Sequence, residues 1–326
     1  MLTKNALITG VTGQDGFFLS QILIDHGYHV VGTTRNIETV ANTHLARLIP
    51  NSGIKVVECD LLNGFAVENL LSTYRPNIIF HLAAESSVAR SFLDPNVSIQ
   101  SSIVVTTNLL QAINKITPSV SMVHAASSEC FGKVKGKICE ETQFSPVSPY
   151  GVGKCASSEM VRVFREGYGL CATNAFLFNH ESTLRNENFV TKKILKHAYD
   201  CSIGNVQLVR YGNLSIIRDW GLAREYMKAL FLVGTAENNQ EYVIGRGEGH
   251  SLRSFLDKSF RFYDLDYHDF VDETEVNIRP SEVNATVADP RKIFMDLGWR
   301  AKSSFSDLIA ELSSEYARER LKSREA

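Results

Sequence analysis

The sequence predicts an α/β protein built on a doubly wound parallel sheet of the Rossmann kind, with a smaller, partly interleaved α/β substrate domain. Three observations predict it. Apolar runs of strand length alternate with longer amphipathic stretches through the first half, the pattern of repeated βαβ units. Those runs are continuous in Val, Ile and Leu, as expected of strands buried on both faces. A cluster of glycines stands directly between the first run and the first amphipathic stretch.

The elements follow in order. Ala6-Leu7-Ile8-Thr9 reads as the first strand, and Phe17 to His26 as a helix with Phe18, Ile22 and Leu23 on one face. Val30-Val31-Gly32-Thr33, Val56-Val57-Glu58-Cys59, Ile78-Ile79-Phe80-His81-Leu82 and Val120-Ser121-Met122-Val123-His124 read as four further strands. Between them the longest helical pattern runs from about Asn96 to Lys115. A helix starts at Ser148-Pro149, with Pro in the first helical position. After Phe178 the loops become richer in Asn, Arg and Gly, though Val190 to Tyr199, Val206 to Tyr211 and Leu222 to Val233 still carry helix or strand patterns. A last amphipathic helix is predicted from roughly Phe305 to Leu321. The expected division is a dinucleotide-binding domain over 1–176, with a segment near 214–245 returning to it, and a mainly substrate-binding domain over 177–326.

Composition narrows the partners. A chain of 326 residues, 44% hydrophobic, can bury a core without staples. A formal net charge of -2 lacks the basic excess of nucleic-acid or membrane-surface binders. No apolar run reaches the ~18 residues of a membrane span, and Met1-Leu2-Thr3-Lys4 lacks the look of a secretory leader. Cysteines at 59, 130, 139, 155, 171 and 201 form no Cys-x-x-Cys pair, so no metal site is expected. They read as reduced thiols of a cytoplasmic protein.

Gly10, Gly13 and Gly16 form Gly-x-x-Gly-x-x-Gly at the first strand-to-helix turn. A dinucleotide pyrophosphate lies there against backbone N–H groups at the helix N-terminus, where side chains would block it. The second strand ends in Thr33-Thr34-Arg35-Asn36, without the carboxylate that usually meets the ribose 2'-hydroxyl of NAD. Arg35 can instead pair with a 2'-phosphate, so NADP is expected, with NAD the alternative. Asp60-Leu61 follow the third strand, where such folds often hold the adenine.

Tyr150-Gly151-Val152-Gly153-Lys154 is Tyr-x-x-x-Lys, four residues apart and so on one helix face. An ammonium near a phenol is expected to lower its pKa and help it act as acid or base. Ser127 stands 23 residues earlier, at the end of the fifth strand, where its hydroxyl can hold the substrate oxygen that Tyr150 deprotonates.

These features resemble the extended short-chain dehydrogenase/reductase superfamily, and further segments narrow the likeness. Ala126-Ser127-Ser128-Glu129-Cys130-Phe131-Gly132 resembles the Ser-Thr-Ser-Glu-Leu-Tyr-Gly of the GDP-mannose 4,6-dehydratases, with Ser127 where that family has Thr. Ser148 to Lys154, Leu177-Phe178-Asn179-His180-Glu181-Ser182, Asn188 to Ile194, Arg218-Asp219-Trp220-Gly221 and Arg279-Pro280-Ser281-Glu282-Val283 are similar to further segments of it.

The resemblance implies a lyase that removes water from a nucleotide-activated hexose without net redox change. Tyr150 would take the proton of the sugar 4-hydroxyl while hydride leaves C4. Glu129 would then remove the acidified C5 proton and help expel the 6-hydroxyl. Hydride returned to C6 would complete a 4-keto-6-deoxy sugar. Ser127, Glu129, Tyr150 and Lys154 would be the catalytic set. Gly10, Gly13, Gln14, Asp15, Gly16, Arg35, Asn36, Asp60, Leu61, Leu82, Ala83, Ala84, Ser86, His180 and Arg185 would meet the cofactor, with Tyr150 and Lys154. Ser86, Ser128, Glu129, Asn179, Val190, Lys193, Arg218, Arg279 and Glu282 would face the sugar nucleotide. Related enzymes pair through a four-helix bundle, so a homodimer or homotetramer is expected, with apolar Met160, Val161 and Phe164 fitting either that interface or an intramolecular core. The alternatives are a dehydratase of another nucleotide sugar, a nucleotide-sugar reductase or epimerase, and a non-catalytic cofactor-sensing protein.

Overall fold

The computed structural model describes residues 4–236, 238–272 and 280–325. Six strands, β1 (Lys4–Thr9), β2 (Tyr28–Thr34), β3 (Lys55–Glu58), β4 (Ile78–His81), β5 (Ser121–Ser127) and β6 (Ala172–Leu177), form a parallel sheet in the order β6-β5-β4-β1-β2-β3. A seventh, Tyr242–Ile244, joins the free edge of β6, also parallel.

Alternation along each strand splits the core into two layers. Ala6, Ile8, Ile78, Phe80 and Val123 face one layer, closed by the helices Gln14–Asp25 and Ala223–Thr235. Leu7, Ile79 and Met122 face the other, closed by Gly64–Tyr74, Val105–Ile116 and Pro149–Tyr168. The reversal of strand order between β1 and β4 opens a crevice at the carboxyl ends of the strands, where open α/β sheets bind ligands.

The helix expected over Asn96–Lys115 is present but not uniform. Pro95–Ile99 runs into a π turn at Gln100–Val104 before Val105–Ile116 resumes. Such turns inside helices are frequently found at functional sites, and this one packs against the helix Pro149–Tyr168.

Beyond β6 the chain builds a separate core. Ile194, Leu195, Trp220, Phe255, Phe305, Leu312 and Tyr316 are buried together between the helices Val190–Ser202, Leu252–Arg261 and Phe305–Glu325. Its strands are two or three residues long, such as Asn179–Glu181 paired with Trp220–Leu222. Of the segment read as regular structure at 206–211, only Val209–Arg210 is a strand. Among the described residues no helix is long and apolar enough to cross a membrane.

Candidate active site

A cleft of about 660 Å³ lies between the sheet and the second core, within the size range of small-molecule sites. Its sheet-side wall begins at Asp15, in the first turn after the glycine loop, and the loop's glycines, which do not themselves line the cleft, have separate reasons. Gly10 takes φ +72°, and a Cβ there would approach the Ala83 backbone at 3.0 Å. A Cβ on Gly16 would stand 2.3 Å from the Val11 carbonyl oxygen, so the helix could not lie this close to the strand. Gly13 needs neither: a Cβ there meets only the Gly10 carbonyl oxygen, at 3.5 Å. The space over Gly13, at the helix N-cap, suits the pyrophosphate of a dinucleotide.

Arg35 and Asn36 are exposed just past β2. The Asn36 side chain accepts from Glu38 N and caps a short 3-10 turn. Asp60 accepts from Leu62 N. The Leu61 side chain is buried in the second layer and its carbonyl accepts from Asn108, so that residue offers a ligand little but backbone. Leu82, Ala84 and Ser86 line the cleft beyond β4, while Ala83 braces Gly10.

The chemical centre is compact. Ser127 ends β5, and its Oγ accepts from Glu129 N at 3.2 Å. That bond turns the chain into a three-residue 3-10 turn, Ser128–Cys130, which brings Ser127, Ser128 and Glu129 onto the cleft wall together. Across from them runs Pro149–Tyr168, capped by Ser148, whose Oγ accepts from Gly151 N at 3.1 Å. Tyr150 and Lys154 both sit buried on its inner face. Gly151 permits the approach, since a Cβ there would meet the Glu129 carbonyl oxygen at 2.7 Å.

The electrostatics correct one expectation. The Tyr150 phenol is not lowered: burial raises its pKa well above the ordinary phenol range, and Glu129 adds to this. A hydrogen bond to Ser127 and the charge of Arg185 pull the other way. Lys154 donates at 2.7 Å to the Ala125 carbonyl, and burial brings its ammonium down to about 8.

The opposite wall carries Asn179, His180, Arg185, Val190, Lys193, Arg218 and Glu282. Asn179 is partly buried and Lys193 exposed. Arg218 is buried: Nη1 donates to the Ile217 and Val283 carbonyls at 2.9 and 2.8 Å, and Nη2 to Glu282 at 2.7 Å. The Arg185 guanidinium lies 3.9 Å over the Phe189 ring. Arg279 lies outside the described residues.

Two side chains expected at the cofactor are also paired with each other. Both His180 and Asp15 line the cleft, but His180 Nε2 stands 3.0 Å from each carboxylate oxygen of Asp15. Gln14 donates to the His180 carbonyl at 3.2 Å and accepts from Ser182 Oγ at 2.7 Å. Sequence reasoning also missed Lys196, Asn205, Gln207, Arg210 and Asn213 at the far end of the cleft. Lys196 rides on the helix Val190–Ser202, and the other four follow it on a stretch whose only regular piece is the strand Val209–Arg210.

A glycine-rich βα turn, a Ser-ended strand and a buried Tyr-x-x-x-Lys pair around one cleft define the extended short-chain dehydrogenase/reductase class. Solved structures agree at the level of fold. A dTDP-glucose 4,6-dehydratase from Streptomyces venezuelae, with NAD, superposes with a TM-score of 0.86 at 22% identity, covering 98% of each chain. A UDP-glucose 4-epimerase from Thermotoga maritima does so with a TM-score of 0.84 at 23%, covering 97% of this chain and 99% of that one.

Sequence likeness is narrower. The family model for GDP-mannose 4,6 dehydratase matches residues 7–312. GDP-mannose 4,6 dehydratase 2 of Arabidopsis thaliana is 35% identical over 322 residues, 96% of this chain and 86% of the relative. The Homo sapiens GDP-mannose 4,6 dehydratase is 33% identical over 333 residues, 94% and 90% of the two chains. The chain belongs to the GDP-mannose 4,6 dehydratase family and is an enzyme of that dehydratase kind.

Proposed function

We propose that this enzyme converts GDP-mannose to its 4-keto-6-deoxy product, with Ser127, Glu129, Tyr150 and Lys154 as the catalytic set and NADP as cofactor. The observation that carries this reading is the convergence of Glu129, Ser127 and Tyr150 on one stretch of cleft wall, with Lys154 behind them. NADP, held by the residues at the glycine loop, would supply the reversible hydride acceptor that a redox-neutral dehydration needs. The protein handles the protons. Tyr150 removes the proton of the 4-hydroxyl while Ser127 holds that oxygen by hydrogen bond. Arg185 lends positive charge toward the phenol, and the Lys154 ammonium, one helical turn on, would be the second cation to support a phenolate. The carboxylate of Glu129 takes the C5 proton, acidified by the new ketone, and protonates the departing 6-hydroxyl. A simple oxidation or epimerisation needs no such carboxylate, which disfavours the alternative reactions.

Support for NADP comes from the exposed Arg35 at the end of β2, a run with no carboxylate of its own; the neighbouring Glu58 carboxylate on β3 is taken up by Ile37 N at 3.0 Å. Gly10, Gly13, Gln14, Asp15 and Gly16 would form the pyrophosphate side, and Asp60 and Leu61 the adenine side. Asn179, Val190, Lys193, Arg218 and Glu282 would hold the sugar nucleotide. A homodimer, or a tetramer built from it, is supported by exposed Val97, Val104, Val152 and Val163 on the two helices expected to form a bundle. Val161 and Phe164 are buried in the intramolecular core, the second of the two places expected for them, while Met160 packs against that core partly buried. A purely monomeric sedimentation profile overturns the dimer. Six free cysteines fit a reducing compartment such as the cytoplasm.

The test is incubation of purified protein with GDP-mannose and catalytic NADP. The expected result is a 4-keto-6-deoxy nucleotide sugar with no net change in NADPH absorbance, lost in Glu129→Gln. Net NADPH accumulation, or full dehydratase activity in Glu129→Gln, rejects the reading.

A further inference from the structure

The side chain of His180 presents an unusual pattern. Nδ1 stands 2.7 Å from the Phe178 carbonyl oxygen, and Nε2 stands 3.0 Å from both oxygens of Asp15. A carbonyl oxygen can only accept. An ionised carboxylate can only accept. Both ring nitrogens must therefore carry hydrogen, which makes His180 an imidazolium. His180 is 8% exposed and the Asp15 side chain 24% exposed, so the ion pair is buried at the imidazolium and partly open to the cleft at the carboxylate.

The titration directions agree with the geometry. Burial works against both charges, yet the contact with His180 brings Asp15 down to about 2. Asp15 likewise raises His180 above its ordinary value, against burial. Arg185 also faces the pair and lowers both groups, and the Lys154 ammonium interacts with Asp15 from the catalytic helix. The Tyr226 ring stacks on the imidazolium, its centroid 5.2 Å away.

The two partners come from opposite walls of the cleft. Asp15 is in the first turn of the helix that follows the glycine loop. His180 is in the short strand Asn179–Glu181, directly after Asn179. Gln14 adds a second tie to the same strand, through the His180 carbonyl and Ser182. Between neutral partners such a bridge would be weak. Between opposite charges with both hydrogen bonds satisfied it is geometrically demanding and strong.

We propose that Asp15 and His180 form a charged latch that fixes the glycine loop against strand Asn179–Glu181, so that both act as positioning residues rather than as direct contacts of the reacting sugar. This rests on the reading of that loop as the cofactor site. The latch makes nicotinamide-cofactor affinity depend on the protonation of His180. It is complete while His180 is charged and is lost as pH rises through its raised pKa, which lies above the ordinary 6.5.

The experiment is fluorescence titration of the full chain with NADPH and NADH from pH 6 to 9, for wild type, Asp15→Asn, His180→Gln and the double variant. Wild-type affinity should weaken toward alkaline pH, and the variants should show no such slope. Each single variant should weaken binding about tenfold near neutral pH, as expected for one hydrogen bond between charged groups. The double variant should bind no worse than either single one, because the two residues act as a unit. Asp15→Asn is isosteric and keeps the test usable should His180→Gln not fold. Wild type that binds while the variants stay within twofold of it, or multiplicative losses in the double variant, overturns the latch alone. Wild type that takes up neither nucleotide overturns the cofactor reading and the latch with it.

Discussion

The two walls of the cleft are made in different ways. One is the carboxyl edge of a seven-stranded parallel sheet, whose strands are buried on both faces and whose ends carry Gly10, Ser127 and the turn with Glu129. The other is an aromatic core, dressed with strands of two or three residues and with irregular loops. The sheet edge is held by hydrogen bonds along long ladders, and its side chains are correspondingly constrained. The second wall is held mainly by packing, so its loops can vary without disturbing the sheet. The contrast assigns bond-making chemistry to the first wall and recognition of the nucleotide to the second.

The assignment can be broken. Tyr150→Phe removes the phenolic oxygen from the first wall and should lower kcat by about 10²–10⁴-fold, the usual share of an acid–base group. Steady-state kinetics should show KM for GDP-mannose little changed, and a KM-only effect would reverse the roles of the walls. Arg218→Met removes a buried guanidinium from the second wall and leaves Glu282 without that partner. A loss of about 10–100-fold in kcat/KM, carried mostly by KM, is expected from one charged hydrogen-bonding group. A kcat defect as deep as that of Tyr150→Phe would end the distinction.

Arg35→Ala tests the first wall away from the chemistry. NADP affinity should fall about tenfold while NAD affinity stays level, as for loss of one charge-assisted contact. Equal losses for both cofactors would remove Arg35 from the 2'-phosphate. The gentlest probe is pH. Lys154 is charged below about 8 and neutral above it, so kcat/KM should decline as pH rises through that value. A profile flat to pH 9.5 would show that the ammonium contributes no charge to the phenol. The test reads best with Tyr150→Phe alongside, in which that dependence should vanish.

Legibility follows the same division. The sheet could be read because buried parallel strands leave unbroken Val and Ile runs, and because Gly10 and Gly16 have steric reasons that forbid other residues. The catalytic helix announced itself through Ser148, Pro149 and the four-residue spacing of Tyr150 and Lys154. Depression of the phenol by Lys154 was the wrong expectation, because spacing does not report burial, and burial governs Tyr150. The pairing of Asp15 with His180 joins residues 165 positions apart, and no local pattern encodes such a contact. Arg210 and Asn213 were invisible for a related reason: the chain there makes one two-residue strand and otherwise follows no period.

The edge strand Tyr242–Ile244 has a consequence for how the molecule comes into being. It pairs with β6 only after the chain has passed through much of the second core. Synthesis must therefore run about seventy residues past β6 before that flank has a neighbour. Until then the backbone donors and acceptors of β6 on that side stand open, the state most prone to pairing with a wrong strand. Swapping the front portion of this enzyme as a cassette would leave that gap permanently.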